Sequence, residues 1–365
     1  MVWNGTKIKE RAKEVGISLT KLARTIGVSR QTIASWSRGQ VPRGERLIEL
    51  CRVLETSPSS FFAPETPALV SVPQHRTIRK KRVTDAIQEE SWKMAEMYIN
   101  LFRTAPSSSI LPVVRATERD DRNAKKIAMH LREISGIKHD KPMDFKHAFQ
   151  ILEKLGIYSI FRAFPESISK QLYAFYSRIC DQRVIFVNTN TNVIDLIFQL
   201  IHEAVHAVRD EEPDLFNDPV EEDFCDAVAN YVQFPDEYVR QVAQSVRGRR
   251  KDITVNILKD FAREYKHSLF GIQKRLNSLG LLKGVNLGGA DTNVKREFQT
   301  VGEFLFKEKD PRSYVEMLFE LSPLFMQLVA EQVPDCSIRK LGEWLGLDTS
   351  LDARAVMDEL KRRAS

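Results

Sequence analysis

Cysteine is scarce in this chain and is not arranged to bind metal or to build a disulfide framework. The four cysteines are scattered along the sequence, and no two have the C-x-x-C spacing that is typical of zinc ribbons and redox motifs. We therefore expect reduced thiols, most of them buried. The residues are Cys51, Cys180, Cys225 and Cys336.

Long apolar runs are also missing. No run approaches the roughly 20 residues that a membrane-spanning helix needs, and the segment from Met1 to Gly5 has none of the features of a signal peptide. The sequence therefore predicts a cytoplasmic protein without a membrane segment. Its composition is otherwise that of a globular protein, with 42% hydrophobic and 28% charged residues, and 365 residues suffice for two or three domains.

Positive charge is concentrated at the front of the chain. Residues 1–82 contain 16 Lys and Arg against 6 Asp and Glu, a net of +10, whereas the whole chain carries +6. The remainder is therefore about −4. This asymmetry indicates a nucleic-acid-binding N-terminus on a near-neutral or acidic body.

Residues 6–62 have the pattern of five short helices. Ser18 and Ser29 suit N-caps, and Gly27 suits the end of the helix between them. Two helices separated by three residues, with the small Ala23 at their crossing, form a helix-turn-helix pattern. This stretch resembles the Cro/C1-type (XRE) family of repressor domains. The residues that carry the resemblance run from Leu22 to Ile33 and include Trp36, Gly39, Pro42 and Leu50.

The XRE resemblance implies that the second of these helices reads double-stranded DNA in the major groove. Arg30 and Gln31 suit guanine and adenine, and Ser35 follows one turn later. Four further residues are placed to hold phosphates, namely Thr20, Lys21, Arg38 and Arg43. The alternative to DNA contact is that these polar residues form a solvated face of the helix. Repressor domains of this type often need a dimer to span two half-sites, so a homodimer is open here.

The metal-site prediction rests on His202-Glu203-Ala204-Val205-His206, an H-E-x-x-H sequence that follows the apolar run 193–201. Residues four apart share one face of a helix, so both imidazoles can reach one metal ion beside Glu203. The pattern is typical of zinc hydrolases, in which Zn2+ takes two histidines and a third protein ligand. The alternative is a pair of core histidines, but burying three polar groups is costly unless something satisfies them.

The third ligand is expected on a second helix, over residues 220–230. Several carboxylates compete there: Glu222 and Asp226 share a face, whereas Glu221 and Asp223 point away from it. The residues alone leave this choice open.

The order of features resembles the ImmA/IrrE family of metallopeptidases fused to an XRE domain, over roughly residues 5–282. The features are the helix-turn-helix, a basic connector, strands ending in Ile185-Phe186-Val187-Asn188, the H-E-x-x-H sequence, Glu222-x-Phe224-Cys225-Asp226-x-Val228-Ala229 and Pro235. The resemblance implies zinc ligands His202, His206 and Glu222, with Glu203 as general base and Asp226 supporting a histidine. It also implies a repressor or other regulatory protein as substrate.

The chain departs from the family pattern at two places. It has Ala204-Val205 where many members have Leu-Gly, and it has residues 209–212 where many have a further histidine. The metal residues themselves are intact. These departures bear on substrate range more than on activity.

The predicted fold is mainly α (α+β), with a zincin-like domain. Three β-rich runs, 157–161, 172–177 and 183–188, predict a small antiparallel sheet, and its edge is a candidate peptide-binding surface. The predicted parts are a five-helix helix-turn-helix domain over 5–63, a basic linker over 64–83, a metallopeptidase domain over 84–240, a small helical extension over 241–282 and a helical C-terminal region over 283–365.

The helical extension also has helix-turn-helix spacing. It suits either packing, which we favour, or a second DNA reader with Lys266, His267, Gln273, Lys274 and Arg275. The C-terminal region is expected to be a cap or a contact surface for a partner.

The sequence thus predicts a DNA-binding regulator with a zinc-dependent endopeptidase domain. The first alternative is a transcriptional regulator whose metal domain is a non-catalytic sensor or docking module. The second is an antitoxin-like repressor.

Overall fold

The computed structural model describes residues 2–3, 5, 7–63, 69–72, 84–106, 118–209, 219–305 and 310–364. The chain divides into two compact units, Met1–Ala68 and Leu69–Ser365. Most of the linker expected at 64–83 lies outside the described residues, and so does its basic cluster. The four linker residues that are described, 69–72, belong to the second unit.

The first unit is helical, as predicted. A short strand at each end closes it, because β1 pairs antiparallel with β2. The fifth predicted helix is a single 3-10 turn, Pro58–Phe61. The other elements are β1 (Val2–Trp3), α1 (Lys7–Glu14), α2 (Leu19–Ile26), α3 (Arg30–Ser37), α4 (Glu45–Val53) and β2 (Phe62–Ala63).

The turn between α2 and α3 has the local chemistry that the sequence predicts. The Ser18 hydroxyl accepts a hydrogen bond from the Lys21 amide at 3.2 Å, and the Ser29 hydroxyl accepts one from the Thr32 amide at 3.0 Å. Gly27 ends α2 with φ of 72°, a left-handed conformation that favours glycine. The two helices pack on fully buried side chains, among them Leu22 and Ile33.

The second unit surrounds a four-stranded sheet with helices. Its strands are β3 (Val70–Ser71), β4 (Ile157–Arg162), β5 (Ala174–Ile179) and β6 (Gln182–Asn188). Its helices before the metal-site region are α5 (Asp85–Glu96), α6 (Ile99–Phe102), α7 (Asp121–Ser135), α8 (Phe145–Lys154) and α9 (Glu166–Ser169). The metal-site region and the extension contain α10 (Val193–Arg209), α11 (Pro219–Gln233), α12 (Asp236–Val246), α13 (Lys251–Tyr265) and α14 (Leu269–Ser278).

The C-terminal region is helical within the described residues, as expected. Its elements are α15 (Ala290–Lys295), α16 (Val301–Leu305), α17 (Pro311–Leu321), α18 (Pro323–Gln332), α19 (Ile338–Leu345) and α20 (Ser350–Ala364). Several of these helices share the large core that contains the sheet, through buried residues such as Leu318, Phe325 and Trp344.

The sheet is mixed, so the prediction of a purely antiparallel sheet is wrong in that detail. Its strand order is β3-β5-β6-β4, in which β5 and β6 form a hairpin and β4 runs parallel to β6. The hairpin turn, Cys180-Asp181, has positive φ at both residues, which matches the twist of the flanking strands. Since β5 pairs with one edge of β6, the edge that remains for β4 is the opposite one. Strand β3, inside the expected linker, was not predicted.

Helix α10 is apolar on nearly all sides and is buried against the sheet and α11. Its apolar residues from Val193 to Val208 include Leu200 and Val205, which are fully buried. The Asn192 side chain marks its start, since its carbonyl oxygen accepts a hydrogen bond from the Ile194 amide at 3.1 Å. The H-E-x-x-H sequence therefore lies in the last part of a rigid, core-forming helix.

The α13–α14 pair repeats the turn of the first unit at the same spacing. The His267 amide donates to the Ala262 carbonyl at 3.1 Å, as the Val28 amide donates to the Ala23 carbonyl at 2.9 Å, and Ser268 caps α14. The N-terminus of α14 is bonded within the fold, because Asp291 Oδ1 accepts hydrogen bonds from the Phe270 amide at 3.1 Å and the Ser268 hydroxyl at 3.2 Å.

The five residues suggested for a second DNA reader are mostly engaged within the fold. His267 is fully buried, Gln273 donates to the Val285 carbonyl at 2.6 Å, and buried Arg275 pairs with Asp236. Lys266 and Lys274 are exposed. This arrangement favours the packing role for the extension.

Candidate metal centre

Three side chains from α10 and α11 meet in the interior of the second unit. His202 and His206 lie one turn apart on α10, and Glu222 faces them from the start of α11. All three are buried, with exposed fractions of 8% or less. The structure thus brings together the three residues that the ImmA/IrrE resemblance implies as ligands.

The distances within this group fit a single metal ion. The two Nε2 atoms of His202 and His206 are 3.1 Å apart, and the Glu222 carboxylate oxygens lie 3.5 Å from the first and 3.4 Å from the second. Four ligands at zinc distances and tetrahedral angles lie roughly 3.3 Å from one another. The ligand atoms of these residues are therefore spaced like the edges of a zinc coordination sphere.

The charges of the group also fit a cation. Burial raises the pKa of Glu203, and although His202 opposes the shift, the neighbouring Glu222 adds to it, giving a value of about 8. Burial lowers the pKa of His206. Burial would also lower the pKa of His202, but hydrogen bonds to Asp226 and Glu222 raise it to about 10. Glu203, Glu222 and Asp226 thus lie around two buried histidines, and a divalent cation would stabilise this group of carboxylates.

Glu203 is held toward the sheet. Its Oε2 accepts a hydrogen bond from the backbone amide of Tyr176 in β5 at 2.8 Å, and the side chain is 3% exposed. This contact was not foreseen from the sequence, because the partner is a main-chain group of a distant strand. It fixes the orientation of the carboxylate beside the two histidines.

Asp226 lies behind His202, one turn along α11 from Glu222. Its Oδ1 is 3.1 Å from His202 Nδ1, so this carboxylate can accept the Nδ1 proton and leave Nε2 free to bind metal. The structure therefore places Asp226 where a supporting role requires it.

We expect Asp226→Asn to weaken zinc binding by about 10- to 100-fold, because the amide supports the ring less well than the carboxylate. Competition with a chromophoric zinc chelator measures this change. Asp223→Asn, on the exposed side of the same helix, is the matched control and should bind zinc like the unchanged protein. Equal affinities for all three proteins would contradict the role of Asp226.

Glu221 points away from the ligand group, as expected, and its side chain is buried. Its carboxylate pairs with Arg209 through two nitrogens, one of them at 2.9 Å, and with Arg119 Nε at 3.0 Å. The Arg209 guanidinium also lies over the Phe224 ring, 4.9 Å from its centroid. Sequence reasoning missed this network, although an arginine three residues after His206 was a usable signal. The pair of Arg209 and Glu221 joins the end of α10 to the start of α11.

We expect Arg209→Met to destabilise the second unit by about 3 kcal/mol, since Glu221 would then remain buried without its bidentate partner. Arg209→Met combined with Glu221→Leu should recover much of this loss, because no buried carboxylate is left unpaired. Urea unfolding curves measure both effects. A double variant less stable than Arg209→Met alone would contradict this account of the pair.

Cys225 is a further polar neighbour of the site. Its Sγ lies 3.7 Å from His206 Nδ1, on the side of the ring opposite to Nε2. Burial raises the pKa of this thiol well above its usual value. Cys225 thus contacts the His206 ring at Nδ1, the nitrogen that does not face the other two proposed ligands.

The predicted DNA-contacting residues lie on α2, on α3 and in the segment that follows α3. Six of the seven are exposed, and Ser35 is half-buried. Arg30 and Gln31 open α3, which is the geometry of a recognition helix. The exposed residues are Thr20, Lys21, Arg30, Gln31, Arg38 and Arg43.

Fold and site together define a class of protein: a helix-turn-helix unit on the same chain as a unit in which two histidines and one glutamate could hold a metal ion. Comparison with known families agrees with this class. Residues 8–61 match the helix-turn-helix family model, and residues 152–277 match the model of the IrrE N-terminal-like domain. The chain therefore joins an XRE-type helix-turn-helix to an ImmA/IrrE-like domain of a metallopeptidase family.

Other comparisons add nothing to this assignment, because no curated protein and no solved structure matches the chain. Among the described helices, none has the length and apolar character that crossing a bilayer requires.

Proposed function

We propose that this protein is a DNA-binding regulator whose second unit is a zinc-dependent endopeptidase that cleaves a repressor or other regulatory protein. The observation that carries the proposal is the buried group of His202, His206 and Glu222 beside Glu203. Structural zinc sites usually have four protein ligands, whereas hydrolytic sites have three and leave one position for water. Hydrolysis also needs a general base beside the metal, and Glu203 lies in that place.

The residues have distinct roles in this proposal. His202, His206 and Glu222 would hold the metal, and Asp226 would orient His202. When bound, Zn2+ would supply a Lewis acid that polarises the scissile carbonyl and lowers the pKa of water. The Glu203 carboxylate takes the proton of the attacking water and passes it to the leaving nitrogen as the C–N bond breaks. The Tyr176 amide holds Glu203 in position for both transfers.

The first unit would bring this activity to DNA. Arg30, Gln31 and Ser35 would contact base edges, and Thr20, Lys21, Arg38 and Arg43 would contact phosphates. We propose a cytoplasmic location, and a homodimer if the operator has two half-sites. We also propose that residues 64–83 act as a linker and that 84–240 and 241–282 are the peptidase domain and its extension.

The test compares protein N-termini in cells that express either the unchanged protein or Glu203→Gln. Enrichment of N-terminal peptides and mass spectrometry identify new termini, and purified protein with zinc should reproduce the cut. We expect at least one cut that requires Glu203 and that a chelator abolishes. Identical sets of termini would contradict the peptidase proposal and favour the alternative, a regulator with a metal-binding sensor or docking module.

A further inference from the structure

A cationic surface on the second unit is unrelated to the metal centre. Residues 240–251 contain five Lys and Arg and no Asp or Glu. All five are exposed: Arg240, Arg247, Arg249, Arg250 and Lys251. We call this surface the α12–α13 patch. It lies in the part of the chain that is near-neutral or acidic on average.

The geometry of two helices brings these charges together. Arg240, Gln244 and Arg247 are spaced four and three residues apart, so they follow one face of α12. That face leads into the connection between α12 and α13, which carries Arg249 and Arg250. The patch thus comprises exposed positive charges on α12, at its C-cap, in the following connection and at the start of α13.

The positive charges at the start of α13 are unfavourable for the helix. Arg250 is its N-cap residue and makes no side-chain capping hydrogen bond, and Lys251 is the first helical residue. Positive charge is unfavourable at the positive end of a helix dipole, and arginine is a poor N-cap. Several other helices have a capping Ser or Asp at this position, for example Ser268 and Asp310, whereas α12 begins after Pro235 without a side-chain cap. Residues that destabilise their own helix, such as Arg250 and Lys251, are expected mainly at functional sites.

The patch is also poor in ion pairs. Among the described residues, its carboxylate partner is Asp252, which is 3.2 Å from Arg250 and highly exposed. Other arginines of the second unit are neutralised more fully, as in the Arg263–Glu297 pair, in which two nitrogens donate to the carboxylate. The patch therefore keeps its charge for a partner outside the fold.

We propose that the α12–α13 patch binds the phosphate backbone of duplex DNA, as a second, sequence-independent contact in addition to that of the helix-turn-helix. A strip of arginines suits a row of phosphates, because guanidinium groups form paired hydrogen bonds with phosphate oxygens. The chain already carries a DNA-binding unit, so a second contact on the same chain acts at high effective concentration. The five patch residues include no apolar side chain that could insert between bases, which accords with contact to the phosphate backbone.

The test is a salt titration of the full chain on a mixed-sequence DNA duplex, followed by fluorescence anisotropy. The slope of log K against log salt concentration is negative, and each phosphate contact contributes roughly 0.9 to its magnitude. Replacing Arg247, Arg249, Arg250 and Lys251 with Gln should reduce this magnitude by about 2 to 4. At about 0.1 M salt the affinity should fall on the order of 100-fold. The matched control replaces Arg312, Arg339, Arg354 and Arg362 with Gln, which changes the net charge equally. A control that lowers the slope as much as the patch variant would overturn the proposal.

A single substitution separates DNA contact from structure. Arg250→Ser supplies a good N-cap for α13, so it should raise the melting temperature while it weakens DNA binding severalfold. A merely structural arginine would not move the two readouts in opposite directions. A higher melting temperature with unchanged DNA binding would overturn the assignment of Arg250.

Two further arms identify the partner and separate this proposal from the others. In the full chain with Arg30→Ala and Gln31→Ala, the patch substitutions should still lower the slope, since the patch acts independently of α3. If the patch substitutions abolish binding to anionic phospholipid vesicles and leave the DNA slope unchanged, the surface binds membranes and the proposal is wrong. The titration uses no peptidase activity, so its result does not depend on the proposed cleavage.

Discussion

Glu203→Gln is expected to slow cleavage of the protein substrate by about 10²- to 10⁴-fold while the chain keeps its zinc. The amide has almost the same shape as the carboxylate and can still accept the Tyr176 amide hydrogen bond, so the fold around it should be preserved. It cannot take a proton from water. Single-turnover cleavage, with metal content measured on the same sample, gives both quantities.

The control for Glu203→Gln is Glu133→Gln, which makes the same chemical change at an exposed position of α7. It should cleave at the rate of the unchanged protein. Zinc-replete Glu203→Gln that cleaves within a factor of a few of this control would contradict the base role. Loss of both zinc and cleavage would instead assign Glu203 to the metal sphere.

His206→Ala should weaken zinc binding on the order of 100- to 1,000-fold, because a zinc site of four ligands loses one of them. The side chain is buried and its Nε2 lies in the middle of the ligand group, 3.1 Å from His202 Nε2 and 3.4 Å from Glu222. No other described side chain shares that position. Equilibrium dialysis with elemental analysis measures the loss.

An exposed histidine provides the matched control for His206→Ala. His130→Ala removes an imidazole from the surface of α7 and should leave zinc binding unchanged. Because His206→Ala should bind zinc more weakly, zinc should raise its melting temperature less than that of the unchanged protein. A variant that still binds one zinc tightly would show that the ligand set is different.

The metal helix could be predicted because its pattern is local. Residues four apart on an apolar helix share a face whatever the rest of the fold does, so His202 and His206 follow from the sequence alone. Glu222 was different, since spacing left it in competition with Asp226, and only the family resemblance separated them. The structure places the two carboxylates at different nitrogens of His202.

The contacts that escaped prediction are those between distant segments. The burial of Glu221 depends on Arg119, just before α7, and on Arg209, at the end of α10, and periodicity says nothing about such partners. The parallel pairing of β4 with β6 has the same origin, because strand runs do not reveal their order in a sheet. The N-terminal helices were predictable through their caps, Ser18 and Ser29, which act within three residues.

The most direct test of the metal centre is X-ray absorption at the zinc edge on the full chain loaded with one equivalent of zinc. The account predicts a first shell of nitrogen and oxygen only, at about 2.0–2.1 Å, with the multiple-scattering signal of two imidazoles. A sulfur ligand at about 2.3 Å would implicate Cys225 and contradict the ligand set of His202, His206 and Glu222. So would a spectrum with fewer than two imidazoles.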